Sequence, residues 1–232
     1  MIDATPEERA ELAPARTLRF AINLGNAATT TVAPNGDLGG PSVTLAKRFA
    51  ETAGLPFELI RFSSAGEIIS ALSEGQSWDI AFLAVDPARA HIIHFSKPYM
   101  TIEATYAVRL ESPFKSPEQL DQQGVQIASS KDAAYDLHLQ RTLKHASRIT
   151  FANPMASFNA FRADDLDAVA GIRQALEREF GIVSDFHILE SPFLTIEHAM
   201  AVPLGRPKAA RLLDRLVSRL DDSGGEIERK LG

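Results

Sequence analysis

The sequence predicts an α/β protein of two lobes, joined by two extended crossings of the chain. Three observations carry this reading. Apolar runs of strand length alternate with segments of helical spacing throughout the chain. Two runs, residues 101–110 and 195–202, are longer and more extended than the other strands. The 232 residues, 45% of them hydrophobic, can bury one large core or two smaller ones.

Taken in order, Thr5-Pro6-Glu7-Glu8 reads as an N-cap, a proline at the first helical position and acid in the first turn, so a short solvated lead-in helix is expected. Residues 18–24 form a β-branched and apolar run stopped by Gly25, the first strand. After a Gly/Pro/Asn-rich loop through Gly40, residues 42–54 place Val43, Leu45, Ala46, Phe49 and Ala50 at helical spacing, and Gly54 stops the helix. Residues 56–62 are a strand. Ser64-Ala65-Gly66-Glu67 has capping-box spacing ahead of Ile68, Ile69, Ala71 and Leu72, with Gly75 as terminator. Residues 78–85 are apolar except for Asp79, as in a strand covered on both faces. Such alternation means βαβ units and a parallel sheet.

Phe95-Ser96-Lys97-Pro98-Tyr99 reads as a turn ahead of the first crossing, which ends at the turn formers Glu111-Ser112-Pro113-Phe114. The βα grammar then repeats. A helix starts at Ser116-Pro117, a strand covers 125–128 and a helix 133–145. Strands at 148–151 and 168–172 alternate with helices at 155–163 and 173–180 before a strand at 186–189. The second crossing leads to an amphipathic helix, 208–220, with Leu212, Leu213, Leu216, Val217 and Leu220 inward. The expected division puts residues 1–108 with 197–232 in one lobe and 109–196 in the other, within a monomer.

Composition narrows the function. Thirty acidic against 24 basic residues give a net charge of -6, which disfavours a surface for nucleic acid or anionic lipid. The absence of cysteine excludes disulfides, thiolate metal sites and cysteine nucleophiles. With 7% aromatics, base-stacking platforms are also disfavoured. Neither nucleic-acid binding nor membrane insertion is expected; a small-molecule site or a protein surface remains. The first residues show no basic stretch followed by an apolar one, so a cytoplasmic location is expected for the sequence as it stands, and a periplasmic one if a leader was removed. His91-x-x-His94 lacks a third ligand of evident geometry, and Asp164-Asp165-Leu166-Asp167 reads as a solvated turn rather than a cation loop. No Gly-x-Ser-x-Gly elbow, Walker loop or Gly-x-Gly-x-x-Gly is present, and no metal or cofactor is expected.

The segment Gly75-Gln-Ser-Trp-Asp-Ile-Ala-Phe-Leu-Ala-Val-Asp-Pro-Ala-Arg89, with Ile93-His-Phe-Ser-Lys-Pro-Tyr99 behind it, resembles the core signature of family 3 bacterial solute-binding proteins. The resemblance extends more weakly from about Leu18 to the C-terminus. It implies a type II periplasmic-binding-protein-like fold, a Venus flytrap with two hinge strands and a ligand trapped between the lobes. An ABC transporter permease is the implied partner. The matching arginine in that family holds the ligand's carboxylate, and Arg89 stands there. A guanidinium suits the task, because its planar fork meets a carboxylate bidentately. The bland alternative is a surface arginine paired with Asp86.

Departures from the family pattern bear on the ligand. Amino-acid receptors place carboxylates around the ligand's ammonium, but here the first-strand position is Asn23 and the second-lobe position falls near Ile172, beside Arg173. An ammonium left unpaired in a closed cleft would lose several kcal/mol of solvation, so a small mono- or dicarboxylate is expected instead. Arg173 is a candidate second clamp on it. The hydroxyl that the family carries five residues before the arginine is Ala84 here. The family's anion loop aligns with Asp132-Ala133-Ala134, where backbone amides still serve and Asp132 reads as the N-cap of the following helix. Lys131, Tyr135, Asn26, Phe82 and His198 are expected neighbours of the ligand. The fold is also similar to that of cyclohexadienyl dehydratases. A lyase of that kind, using Asp132, Glu197 or His198 as general acid, is the alternative function, with a cytosolic ligand-sensing module a further one.

Overall fold

The computed structural model describes residues 4–75, 78–163, 165–182 and 185–222. Helix α1 (Pro6–Leu12) opens the chain, closed at its start by a reciprocal capping box between Thr5 and Glu8. Strand β1 (Leu18–Asn23) follows, then a small hairpin of β2 (Thr31–Val32) and β3 (Leu38–Gly39). Helix α2 (Pro41–Ala53) ends at Gly54 in the left-handed conformation, φ 65°. Strand β4 (Phe57–Phe62), helix α3 (Ala65–Ser73) and strand β5 (Ile80–Ala84) complete the first βα series. Strand β6 (Ile93–Arg109) then leaves this lobe, and a 3-10 turn at Pro117–Leu120 enters the second. There β7 (Gln126–Ser130), α4 (Ala134–Thr142), β8 (Ser147–Phe151), α5 (Pro154–Ala163), β9 (Ala168–Ile172), α6 (Arg173–Phe180) and β10 (Phe186–Ile188) succeed one another. Strand β11 (Leu194–Pro203) returns to the first lobe and α7 (Pro207–Asp222) ends the described chain.

All strands but β2 and β3 join in one sheet, ordered β4-β1-β5-β11-β6-β9-β7-β8, with β10 added alongside β6. Within each lobe the pairing is parallel, β1 with β4 and β5, and β7 with β8 and β9. Strands β6 and β11 run antiparallel between the lobes as hinge strands, and the expected division at 108/109 and 196/197 falls within them. Two packed layers fill the first lobe. Phe20, Phe49 and Phe82 lie with Leu212, Leu213 and Leu216 of α7 on one face of the sheet, and Trp78, Leu83 and Ile68 lie on the other. The second lobe closes around Tyr106, Phe158, Phe161 and Phe180.

Three expectations are corrected here. Residues 95–99 are no turn but the first half of β6. A β-bulge, where the register moves from Met100↔His198 to Pro98↔Ala199 and then Phe95↔Ala201, accommodates a proline that has no N–H for the ladder. The lead-in helix is not merely solvated, since Leu12 is fully buried and Glu8 pairs with Arg215 of α7 at 2.9 Å. Asp132 does not cap α4: it adopts φ 59°, and Ala133 is the N-cap without a side-chain bond. Of the inward residues expected on α7, Leu220 has a side chain outside the described ones, as are Gln76, Ser77 and Asp164 altogether.

The lobes touch. Gly66 of α3 lies so close to the loop after β7 that a Cβ there would sit 3.0 Å from Asp132 Cβ and 3.1 Å from the Lys131 carbonyl. Asp86 of the first lobe pairs with Arg141 of the second at 3.0 Å.

Candidate ligand-binding site

A cavity lies between the lobes, enclosing about 440 Å³ of space free of atoms, its mouth included. The C-terminal ends of the parallel strands and the loops after them build it, where open α/β sheets place ligands. The first lobe contributes Asn23, Gly25 and Asn26 after β1, Ser64 and Ala65 at the start of α3, and Leu83, Ala84 and Arg89 at and after the end of β5. The second contributes Ser130, Ala133, Ala134 and Tyr135 around the start of α4, with Pro154 and Ile172. Ile102, Ile196 and His198 come from the hinge strands, the first two as a cross-strand pair.

Arg89 is 3% exposed. Its Nη1 donates to the Ala84 carbonyl at 3.1 Å, and its Nη2 donates across the lobes to the Asp132 carbonyl at 2.8 Å. Both acceptors are neutral. Burial lowers its pKa to about 10, while the charges of Asp86 and Asp132 act to raise it. It therefore stays cationic at neutral pH, in contact with no carboxylate. The pairing with Asp86 is not formed: that carboxylate accepts from Arg141 at 3.0 Å and from the Ala88 amide at 2.8 Å. The amides of Arg89 and Ala90 bond to the Asp86 carbonyl, so this turn offers no free N–H cluster to an anion. An uncapped helix start exists instead at α4, where Ala133 and Ala134 line the cavity.

His198 stands between Asn26 and Tyr99. The Asn26 side-chain carbonyl accepts from the Ala28 amide at 3.2 Å, which orients its NH2 toward His198 Nε2, also at 3.2 Å. Nε2 must then accept, so Nδ1 carries the proton and donates to the Tyr99 hydroxyl at 2.7 Å. Burial, and then the charge of Arg89, lower the His198 pKa to about 3, so the ring is neutral. Tyr99 is itself buried, which holds its proton on the phenol.

Seven of the expected residues line the cavity: Asn23, Asn26, Ala84, Arg89, Ala133, Tyr135 and His198. Four do not. Phe82 points into the first lobe's core, stacked on Phe20 with ring centroids 6.0 Å apart. Lys131 and Asp132 are exposed beyond the lining, and only the Asp132 backbone reaches Arg89. Arg173 turns away: its Nε bonds Glu103 at 2.8 Å and its Nη2 the Glu190 carbonyl at 2.6 Å, so the two-arginine clamp does not form. Sequence reasoning missed Ser64, Ser130, Pro154 and the apolar Leu83, Ile102 and Ile196, and had Ile172 only as the place near which the family carries a carboxylate. Ile102 and Ile196 become neighbours only through the β6–β11 register, which no local signal announces.

Among the lining residues no aspartate or glutamate occurs. Of the three candidate acids, Asp132 and Glu197 are exposed outside the cavity, and His198 has both ring nitrogens engaged and is neutral. Among the described residues no group of His, Asp and Glu is placed to hold a metal ion, and no helix is long and apolar enough to cross a membrane. His94 pairs with Asp214 at 3.0 Å.

Known proteins share this architecture. A mutant of ArgBP from T. maritima superposes with a TM-score of 0.80 at 19% identity, over 95% of this chain and 96% of that one. The Bordetella pertussis BvgS periplasmic VFT2 domain gives 0.77 at 22% identity, over 99% of each chain. The ancestral amino acid-binding protein AncCDT-1, a precursor of cyclohexadienyl dehydratase, also gives 0.77 at 22% identity, over 94% of this chain and 95% of that one. A search of curated protein sequences finds no match. At such identities the superpositions speak for the two-lobed fold alone. The sequence profile of the bacterial extracellular solute-binding proteins, family 3, matches residues 18–226, nearly the whole span from β1 onward. With the hinge strands and the interlobe cavity in place, this match makes the chain a member of that family of solute-binding proteins.

Proposed function

We propose that the protein captures a small carboxylate in the interlobe cavity, by closure of the lobes about the hinge strands, and presents it to an ABC transporter. One observation carries this reading: Arg89, a buried cation lining the cavity, bonds only neutral carbonyls through its side-chain Nη atoms. A desolvated guanidinium gains most from an anion, since charge-assisted bonds are about twice as strong as neutral ones. The uncapped start of α4 would favour the same charge. ArgBP is described as arginine-bound and AncCDT-1 as amino acid-binding. In this chain an ammonium would meet no carboxylate in the lining, and burying it unpaired would cost several kcal/mol. Because Arg173 is committed elsewhere, one carboxylate per ligand suffices and the remainder meets isoleucines.

Support for closure comes from the contacts that join the lobes, Arg89 to the Asp132 carbonyl and Asp86 to Arg141. A thermal-shift screen of small carboxylates against their amides and the corresponding amino acids tests the proposal. A ligand at a hundred times its dissociation constant adds about 2.7 kcal/mol, roughly 5–10 °C for a chain of this size. Acids should raise the melting temperature where their amides do not. Shifts produced by amino acids alone would refute the carboxylate assignment.

A further inference from the structure

We infer that the captured acid carries an uncharged oxygen, as a hydroxyl or a carbonyl, on the carbon next to its carboxylate; this deepens the carboxylate reading and rests on it. Two side chains point that way. Ser130 and Tyr135 both line the cavity, are 0% and 3% exposed, and present hydroxyls that have no hydrogen-bond partner. The Tyr135 hydroxyl lies near the side chain and backbone of Ser130, both of which act to favour its ionised form, yet the two hydroxyls are outside bonding geometry. Burial dominates and keeps the phenol protonated, hence a donor.

Buried hydroxyls are nearly always paired in native proteins, because an unmatched one forfeits its bonds to water. Thr30, Ser42 and Ser129 are also buried and unpartnered, but none of them lines the cavity, so no ligand reaches them. The pair in the cavity differs in sharing its lining with Arg89, the only cation among the lining residues. Ser130 ends β7, Tyr135 is the second residue of α4, and Arg89 holds the carbonyl of Asp132, which lies between them in the chain. A carboxylate drawn to Arg89 therefore brings its adjacent carbon to these hydroxyls, while Leu83, Ile102, Ile172 and Ile196 receive an aliphatic remainder. An ammonium on that carbon would also meet oxygen lone pairs. Its charge, however, would add to that of Arg89, and the neighbouring His198 is neutral and the lining holds no acid.

Calorimetric titration with four acids of one branched skeleton, differing only at carbon 2, tests this. The probes are 2-hydroxy-4-methylpentanoate, 4-methyl-2-oxopentanoate, 4-methylpentanoate and leucine. The hydroxy or the oxo acid should bind the native chain about tenfold or more tightly than 4-methylpentanoate, and leucine should bind worst. Tyr135→Phe, which keeps the ring, and Ser130→Ala should erase most of that margin, lowering the affinity for the hydroxy or oxo acid far more than that for 4-methylpentanoate. Equal binding of the three non-amino acids would overturn this inference while leaving the carboxylate reading standing. So would an equal loss for all of them in Tyr135→Phe, the mark of a packing effect. Tightest binding of leucine, or binding of none of the four, would overturn both.

Discussion

Arg89→Met is expected to weaken carboxylate binding by at least about a hundredfold and to leave the lobes folded. The side chain it replaces contributes the only positive charge among the residues lining the cavity. Losing a buried charged partner typically costs about 3–5 kcal/mol, and each 1.4 kcal/mol is a factor of ten in affinity. Methionine keeps the unbranched stem, so packing beside Ala84 survives while the two bonds to the Ala84 and Asp132 carbonyls are lost. The Asp132 bond spans the lobes, so the variant should also close less readily. Arg173→Ala serves as the control. Its guanidinium is occupied by Glu103 and the Glu190 carbonyl, so affinity should stay within about twofold. Titration calorimetry on both variants, with circular dichroism to check folding, reads the contrast. Equal losses would restore the two-arginine clamp.

Asp79→Ala should lower the melting temperature by about 6–12 °C without changing ligand affinity. Asp79 is fully buried just before β5, at the end of the strand opposite the cavity. It accepts from the Arg19 amide at 3.1 Å, from Arg19 Nε at 3.0 Å and Nη2 at 2.9 Å, and from Arg206 Nη1 at 3.0 Å. One carboxylate thus ties β1 and the entry to α7 to the root of β5. Removing it takes this carboxylate from two guanidiniums, each about one-fifth exposed, which regain part of their hydration. The net loss is about 3 kcal/mol, within the usual range for breaking such a cluster, and each kcal/mol is worth about 2–4 °C at this size. A shift below about 2 °C in a thermal melt would show the cluster to be dispensable.

The elements were legible where period and punctuation agree. The strand at 168–172 and the helix at 173–180 have the bounds read from the sequence, because an all-apolar run gives way there to a polar segment of helical spacing. Arg89 was legible through the resemblance of residues 75–99 to the family signature. What sequence hides is orientation. All of β5 is buried, so no polar mark separates Leu83 and Ala84, which reach the cavity at the strand's C-terminal end, from Phe82, which packs in the core. Ile172 and Arg173 are neighbours, yet the change from strand to helix between them turns the isoleucine inward and the arginine toward Glu103. Pro98 reads locally as a turn, and only its partner strand makes it a bulge. The left-handed backbone of Asp132 is equally invisible, since aspartate before an uncapped helix normally caps it.

The account turns on what Arg89 holds. A crystal structure of the complex with the acid giving the largest thermal shift addresses this directly. The account predicts the carboxylate oxygens at roughly 2.7–2.9 Å from the Arg89 guanidinium nitrogens, inside the closed cavity. A ligand bound elsewhere, or an Arg89 side chain that keeps its two carbonyl bonds and makes none to the ligand, would contradict it.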